Sequence, residues 1–359
     1  MKPNLHLDSF MSGKNFSLLR SGRKQRRNLS FFLGSFVFRR LGPASCTAVL
    51  GLLGIGLNPK ALGAGSLATQ TVSSPTQWII THDAKPVLIY EFDPQKFKPY
   101  VKALNTLQGY GVLRDSPGDH LHHHALMYGI KVNGVNFWEE TPGCGVQKVV
   151  ESMPPQILQS PDGSPQARLA QAIYWLAPED AFLPNTNAPS LLIEHRTLTL
   201  TLDLGKRETA LHWRSEFEVG AKTNAVTLTG ANYHGLGMRF LQELDPLAVH
   251  FTPEGKPVLS NSRQDVTAHS WEAVAFDQPG KPATIALFGG ARNARGDASY
   301  FAMKTPFAYL SATQGLDHEA LLYRRGERFT VDYLITLYPE LVSTEALAKR
   351  SRQWREAAR

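Results

Sequence analysis

Apolar and polar residues alternate with a period of two along two neighbouring stretches, and this alternation is the strongest structural signal in the chain. In Leu198-Thr199-Leu200-Thr201-Leu202-Asp203-Leu204 every second side chain is a leucine, the pattern of a half-buried strand. Leu204-Gly205-Lys206-Arg207 turns the chain. Leu211 to Val219 then alternates again, with Trp213 and Phe217 on one face and His212, Arg214, Glu216 and Glu218 on the other. The pair predicts a long antiparallel hairpin. Glu194-His195-Arg196, at its opening, reads as a solvated face. Upstream, Trp78–Thr81 and Pro86–Phe92 predict strands joined at His82-Asp83-Ala84-Lys85, followed by strands at Tyr100–Leu107 and Leu169–Leu176. Downstream runs at Ala225–Gly230, Trp271–Phe276, Ala283–Phe288, Phe307–Ala312 and Phe329–Tyr338 add more. Only Ser343–Ala358 carries a helical, basic and amphipathic pattern, expected on the outside of a sheet. About a dozen strands without an internal repeat predict an all-β chain. The expected architecture is a large antiparallel β-sandwich over residues 75–342 with a C-terminal helix over 343–359.

Composition changes this picture at one end only. With 42% apolar and 19% charged residues the chain has enough apolar side chains for a sizeable core. The net charge of +7 is unevenly placed. Residues 1–68 hold ten Lys and Arg side chains against Asp8 alone, a charge of +9, so the remainder carries −2. That body lacks the electrostatic footprint of a nucleic-acid binder. In the basic segment Arg26-Arg27-Asn28-Leu29 is a twin-arginine pair followed by the apolar runs Leu29–Phe38 and Leu41–Leu57, with small residues at Ala61, Gly63 and Ala64. This predicts a twin-arginine export signal, a periplasmic or extracellular destination, and membrane contact only through that signal, which would serve as an N-terminal anchor if left uncleaved. Removal of the leader with Cys46 leaves Cys144 alone, so no internal disulfide is expected.

Candidate chemistry concentrates between Arg114 and Trp138, in RDSPGDHLHHHALMYGIKVNGVNFW. His120, His122, His123 and His124 fall within five positions, preceded by Asp119 and, across Ser116-Pro117-Gly118, by Arg114 and Asp115. On a strand His120, His122 and His124 would share a face with His123 opposite. One reading is acid–base catalysis on a bound carbohydrate or polyol, with His122 or His123 as proton donor, Asp119 as orienting partner and Arg114, Asp115 and Arg239 fixing hydroxyls. It requires no cofactor. A second is ligation of a divalent transition metal by His120, His122 and Asp119. A third is a polar cleft without chemistry, as in a carbohydrate-binding module. Asn232-Tyr233-His234-Gly235 brings His234 as a further catalytic candidate, since glycines let backbone approach a ligand. Trp138-Glu139-Glu140 suits a sugar ring stacked on the indole and held by the acids, with Glu139 as a binding candidate.

The histidine stretch, with NYHGLGMRF and LLYRRGERFTVDYLITLYPE, resembles an exported bacterial family labelled "methane oxygenase PmoA-like" over about residues 75 to 340. Its most specific part is Asp119-His120-x-His122-His123, and His124 lies outside it. The label implies an oxygenase, yet no run after Leu57 is long and apolar enough for a membrane helix. More distantly the chain is similar to the galactose-mutarotase-like β-supersandwich. That likeness runs through His122 to Trp138, Asn232-Tyr233-His234 and Leu310-Ser311-Ala312-Thr313-Gln314, and it implies a carbohydrate substrate and an acid histidine at His234. Ser311 and Ala312 stand where that family places its glutamate base, which leaves Asp317, His318 or Glu319 as substitutes.

Overall fold

The computed structural model describes residues 70–183, 188–256, 259 and 264–357. The twin-arginine pair, the apolar runs and Cys46 lie outside the described residues. Two antiparallel sheets of nine strands each enclose the main core, and a smaller four-stranded sheet flanks them.

The second sheet contains the predicted hairpin. Its strands run in the order Ala248–Phe251, Trp271–Phe276, Ala283–Gly289, Arg328–Tyr338, Glu208–Val219, Leu192–Asp203, Pro165–Leu176 and Val146–Ser152, and Gln156–Gln159 also pairs with Pro165–Leu176. Register puts Leu198 opposite Trp213 and Trp213 opposite Tyr333, so the apolar members of each alternation land in one layer. A fully buried side chain of this size contributes roughly 1.5–3 kcal/mol through water exclusion. The helix Thr344–Ala357 lies on the outer face of this sheet. Leu347, Ser351 and Trp354, at helical spacing, are its buried positions, and Arg350 pairs with Glu208 at 2.9 Å.

The first sheet runs Gln70–Ser73, Gln77–His82, Lys85–Glu91, Tyr100–Leu104, Leu126–Gly129, Gly235–Arg239, Tyr309–Thr313, Ser299–Met303 and Gln264–Ala268. The turn between its second and third strands puts Asp83 and Ala84 at φ 48° and 60°, the left-handed conformation of a tight hairpin. Along its central strands Leu126, Tyr128, Leu236, Met238, Leu310 and Ala312 enter the main core. The intervening Met127, Phe301 and Tyr309 face the opposite way and form a separate apolar cluster with Tyr100, Trp138 and Phe307. That second face carries the candidate site.

Two expectations need correction. There are 22 strands among the described residues, not about a dozen. The unforeseen ones include Gly235–Arg239 and much of Ser299–Met303, which are covered on both faces and so show no alternation. Glu194-His195-Arg196 is not a solvated face: the strand begins at Leu192, and its period turns Glu194 and Arg196 inward, 0% and 1% exposed.

Candidate functional site

The histidines sit on a strap of consecutive turns between two points of the first sheet, and not on a strand as the sequence suggested. The strap leaves the sheet where Arg114 N donates to Arg239 O at 2.9 Å and returns at Leu126. Ser116 takes φ 45° after its neighbours Arg114 and Asp115, and its N–H donates to His123 O at 2.9 Å, closing a loop. Inside it His120 N donates to Pro117 O and His123 N to His120 O, each at 2.9 Å. Pro117 and Gly118 supply the turn chemistry. These turns defeat strand geometry and bring three imidazoles together. The rings of His120 and His123 stack at 4.6 Å, and His122 meets His123 edge-on at 4.6 Å.

The imidazoles form one wall of a cavity of about 350 Å³. His120, His122, His123 and Glu139 provide its polar side, and Tyr233, Phe301, Met303, Phe307 and Tyr309 its ring-rich side, with Gln264 and Pro306 completing the lining. Gly237 allows this packing. A Cβ there would run into the Tyr309 hydroxyl and the Trp138 ring.

Outside the cavity lining lies a buried bridge of polar side chains. His124, 2% exposed, stacks on Tyr100 at 3.6 Å. Its Nδ1 is 2.7 Å from Asp115 Oδ1 and its Nε2 is 2.9 Å from Glu140 Oε1. Lys98 Nζ donates to the same Glu140 oxygen at 2.9 Å and to Trp138 O at 2.7 Å. At the rim Arg239 Nη2 donates to Asp119 Oδ2 at 3.3 Å, and its guanidinium lies over Phe307, 3.3 Å from the ring centre. Asp119 Oδ2 is also 3.1 Å from His120 Nδ1, an ion-pair contact off the line of a good hydrogen bond.

Burial dominates the proton affinities here. It pushes His123 down to about 3, helped by the neighbouring His122, His120 and Arg239. It lowers His122 as well, where the Lys98 charge adds to the effect and Glu139 opposes it. His234 is pushed down to about 3 by burial and then by Lys131 and Lys98. Burial would raise Glu140, but the His124 hydrogen bond and the Lys98 charge hold it at about 2. Asp119 feels the same upward push of burial, and the His120 contact and Arg239 hold it below the ordinary carboxylate value. His123 Nδ1, His234 Nδ1, Trp138 Nε1 and the Tyr309 hydroxyl are buried with no hydrogen-bond partner among the described residues.

The structure therefore brings together His120, His122, His123 and Glu139, with Asp119 and Arg239 at the edge, and separates the other candidates. Trp138 is no stacking platform: it is 0% exposed, its face covered by His234 at 5.1 Å. His234 is 3% exposed and backs that indole, away from the lining. Arg114 is spent on Gln242, 2.9 Å away, and Asp115 on His124. Lowered proton affinities favour the neutral form of His122 and His123, a form suited to accepting a proton. His318 is 82% exposed in its side chain and Glu319 pairs with Arg295, so neither joins the lining. Among the described residues no three His, Cys, Asp or Glu side chains, His120, His122 and Asp119 included, are arranged to hold one metal ion.

Sequence reasoning gave His124 no role and missed Lys98 and the aromatic wall. His124 carried a signal, its place in the histidine run and its spacing from Asp115. Phe301, Phe307 and Tyr309 carried none, since sheet pairing brings them across some 180 residues of chain.

Solved structures similar to this chain include a Glycoside Hydrolase Family 97 enzyme in complex with acarbose from Pseudoalteromonas sp. strain K8, at 10% identity and a TM-score of 0.43, covering 76% of this chain and 36% of that one. An α-galactosidase from Lactobacillus brevis matches at 7% identity and TM-score 0.38, covering 76% and 39%. A family 36 α-galactosidase from Geobacillus stearothermophilus in complex with stachyose matches at 10% and 0.38, covering 76% and 40%. The chain thus spans about two fifths of these structures, and likenesses this slight carry no argument about its site. No curated protein matches it. The resemblance to a methane oxygenase family is overturned, since the family profile that matches has no link to such an enzyme. That profile covers residues 77–352, and the chain belongs to the family it describes, the "Family of unknown function (DUF6807)".

Proposed function

We propose that this protein binds a small carbohydrate or related polyol in the cavity beside the histidine strap and transfers a proton on it through His122. The observation that carries this reading is the meeting of two unlike walls, aromatic rings and imidazoles with a carboxylate, around one space of about 350 Å³. That volume falls in the roughly 300–1,000 Å³ range of small-molecule sites. A sugar ring has the same division, apolar C–H faces and hydroxyl edges.

His122 is the most suitable base. It lines the cavity, is only half-buried and has a lowered proton affinity, so it is neutral and free to accept. It takes a proton, becomes imidazolium and returns it before the next turnover. His123 and Glu139 hold hydroxyls, and Asp119 receives Arg239 beside them. A two-carboxylate glycosidase needs both acids flanking the bond that breaks. Here Glu140 turns away to Lys98 and His124, which favours proton transfer over that form of hydrolysis. Export through the twin-arginine segment belongs to the same proposal, and N-terminal sequencing of protein recovered from the periplasm checks it.

The test is a panel of neutral mono- and disaccharides followed by proton NMR in deuterated water. Deuterium uptake at one sugar carbon, or a new sugar product, is expected, and His122→Ala removes it while leaving affinity within about threefold. Binding without turnover across the panel favours a non-catalytic binding module, and no binding ends the reading. Metal analysis of protein purified without chelator runs alongside, and stoichiometric Cu, Fe, Zn or Mn would replace it with the metal-dependent one.

A further inference from the structure

Each ring nitrogen of His124 has a carboxylate oxygen as its nearest partner, and Ser116 Oγ, a hydroxyl, stands 3.2 Å from Nδ1 and also 3.3 Å from Asp115 Oδ1. Asp115 Oδ1 lies 2.7 Å from Nδ1 and Glu140 Oε1 lies 2.9 Å from Nε2. Glu140 is an ionised carboxylate, and Asp115 already receives the Tyr100 hydroxyl on its other oxygen at 3.2 Å. A neutral imidazole offers one N–H and would turn a lone pair on one of these oxygens. The geometry is met when both nitrogens carry protons. Asp115, His124, Glu140 and Lys98 then form a group of two negative and two positive charges, with the His124 and Lys98 side chains each 1% exposed and the carboxylates of Asp115 and Glu140 20% and 13% exposed. Charge-assisted hydrogen bonds of this kind are strong and directional.

The bridge joins two segments that supply the cavity. Asp115 opens the strap that carries His120, His122 and His123. Glu140 follows Glu139, and Lys98 ties down Trp138 O just before it. We infer that His124 is the positioning residue of this site, donating from both ring nitrogens to lock the strap to the Glu139 segment and so set the spacing between the imidazole wall and the Glu139 carboxylate. The inference rests on the proton-transfer reading for its effect on turnover and not for the bridge itself. Misplacement of catalytic groups by about 1 Å is enough to cost on the order of 100-fold in rate.

Two measurements on the full chain decide it. Long-range proton–nitrogen correlation spectra of protein labelled on histidine are expected to show one ring protonated at both nitrogens near neutral pH, missing in His124→Gln. A His124 signal with one bare nitrogen overturns the proposal. The second measurement is kinetic, on whichever sugar the panel identifies. His124→Gln is expected to lower kcat about 100-fold with KM within about threefold. His124→Gln/Glu140→Gln removes one charge of each sign and lets a side-chain amide span the gap, so it regains stability and part of kcat. A folded His124→Gln with unchanged kcat refutes the positioning role. If no sugar is turned over, the proton-transfer reading fails but the bridge is still decided. His124→Gln must then shift the His122 and His123 ring resonances while the indoles of Trp271 and Trp354, on the second sheet and its helix, stay in place.

Discussion

Two buried polar clusters lie on opposite faces of the first sheet, and only one of them is complete. In the sandwich interior Glu194 receives Arg196 Nε at 2.6 Å, Ser215 Oγ at 2.6 Å and Trp175 Nε1 at 2.8 Å. Arg196 also donates to Tyr90 Oη at 3.1 Å, to Pro99 O at 2.9 Å and to Gln147 Oε1 at 3.3 Å, and lies over the Trp213 ring. On the other face His123, His234, Trp138 and Tyr309 each bury a polar atom with no partner among the described residues. Buried polar groups are ordinarily paired with protein or with ordered water, so unpaired ones grouped beside a cavity call for a partner. The first cluster is a fastener between sheets. The second borders the cavity, where the polar groups of a bound molecule have room to complete it.

The largest effect is expected where the cluster is complete. Arg196→Met leaves the Glu194 carboxylate buried without its ion partner and should cost about 3–5 kcal/mol, read by urea unfolding. A loss below about 1 kcal/mol would mean that the interior network is not the fastener it resembles. The incomplete cluster should answer in the opposite sense. His123→Phe removes an orphaned nitrogen at similar ring size, so unfolding free energy should hold steady or rise by about 1 kcal/mol, while sugar turnover drops roughly 100-fold. Equal stability losses at the two positions would dissolve the contrast.

Acid sharpens it further. His123 and His234 bind protons only near pH 3 in the folded chain, against 6.5 for an unperturbed imidazole. Between those values the unfolded chain carries the extra protons, so stability rises with pH and falls as acid is added. The slope is up to about 1.4 kcal/mol per pH unit for each imidazole. Glu140, held at about 2 against 4.5, adds its own loss as pH falls below 4.5. Unfolding curves at a series of pH values should flatten between 6.5 and 4.5 in His123→Asn/His234→Asn. A smaller effect is expected at Gly237, where Ala would press on Tyr309 and Trp138 and cost about 1–3 kcal/mol by overpacking.

The contrast also explains what the sequence could disclose. Strands covered on one face announce themselves, and so the hairpin from Leu198 to Val219 and the C-terminal helix are visible in the pattern of leucines and charges, though the strand itself starts earlier, at Leu192. Local density of titratable residues likewise reveals the histidine strap. The opposite wall is assembled by pairing Gly235–Arg239 with Tyr309–Thr313 and Tyr309–Thr313 with Ser299–Met303, and no local pattern encodes those partners. The strap has the local sequence of a turn at Ser116-Pro117-Gly118 followed by a strand, but hydrogen bonds at Pro117, His120 and His123 continue the turning as far as His123. Whether an indole is a platform or a core residue depends on what covers it, and His234, some 95 positions away, covers Trp138.

The smallest expected change tests the rule that separates the interior cluster from its surroundings. His195 stands between Glu194 and Arg196, and its side chain is 54% exposed, 3.8 Å from Glu218. A strand reverses its face at every residue, so the neighbours that seal the core and the histidine that meets solvent differ by one position only. An exposed ion pair of this length contributes little, and His195→Ala should change the unfolding free energy by less than about 0.5 kcal/mol. The value of the measurement lies in its setting. Set beside Arg196→Met, it gives a difference of several kcal/mol between adjacent residues of similar polarity, for which the facing of the strand is the only physical account. If His195→Ala instead cost more than about 1.5 kcal/mol, the register that carries Glu194 and Arg196 inward would be in error, and the claim that the chain keeps one complete polar cluster and one open one would fall with it.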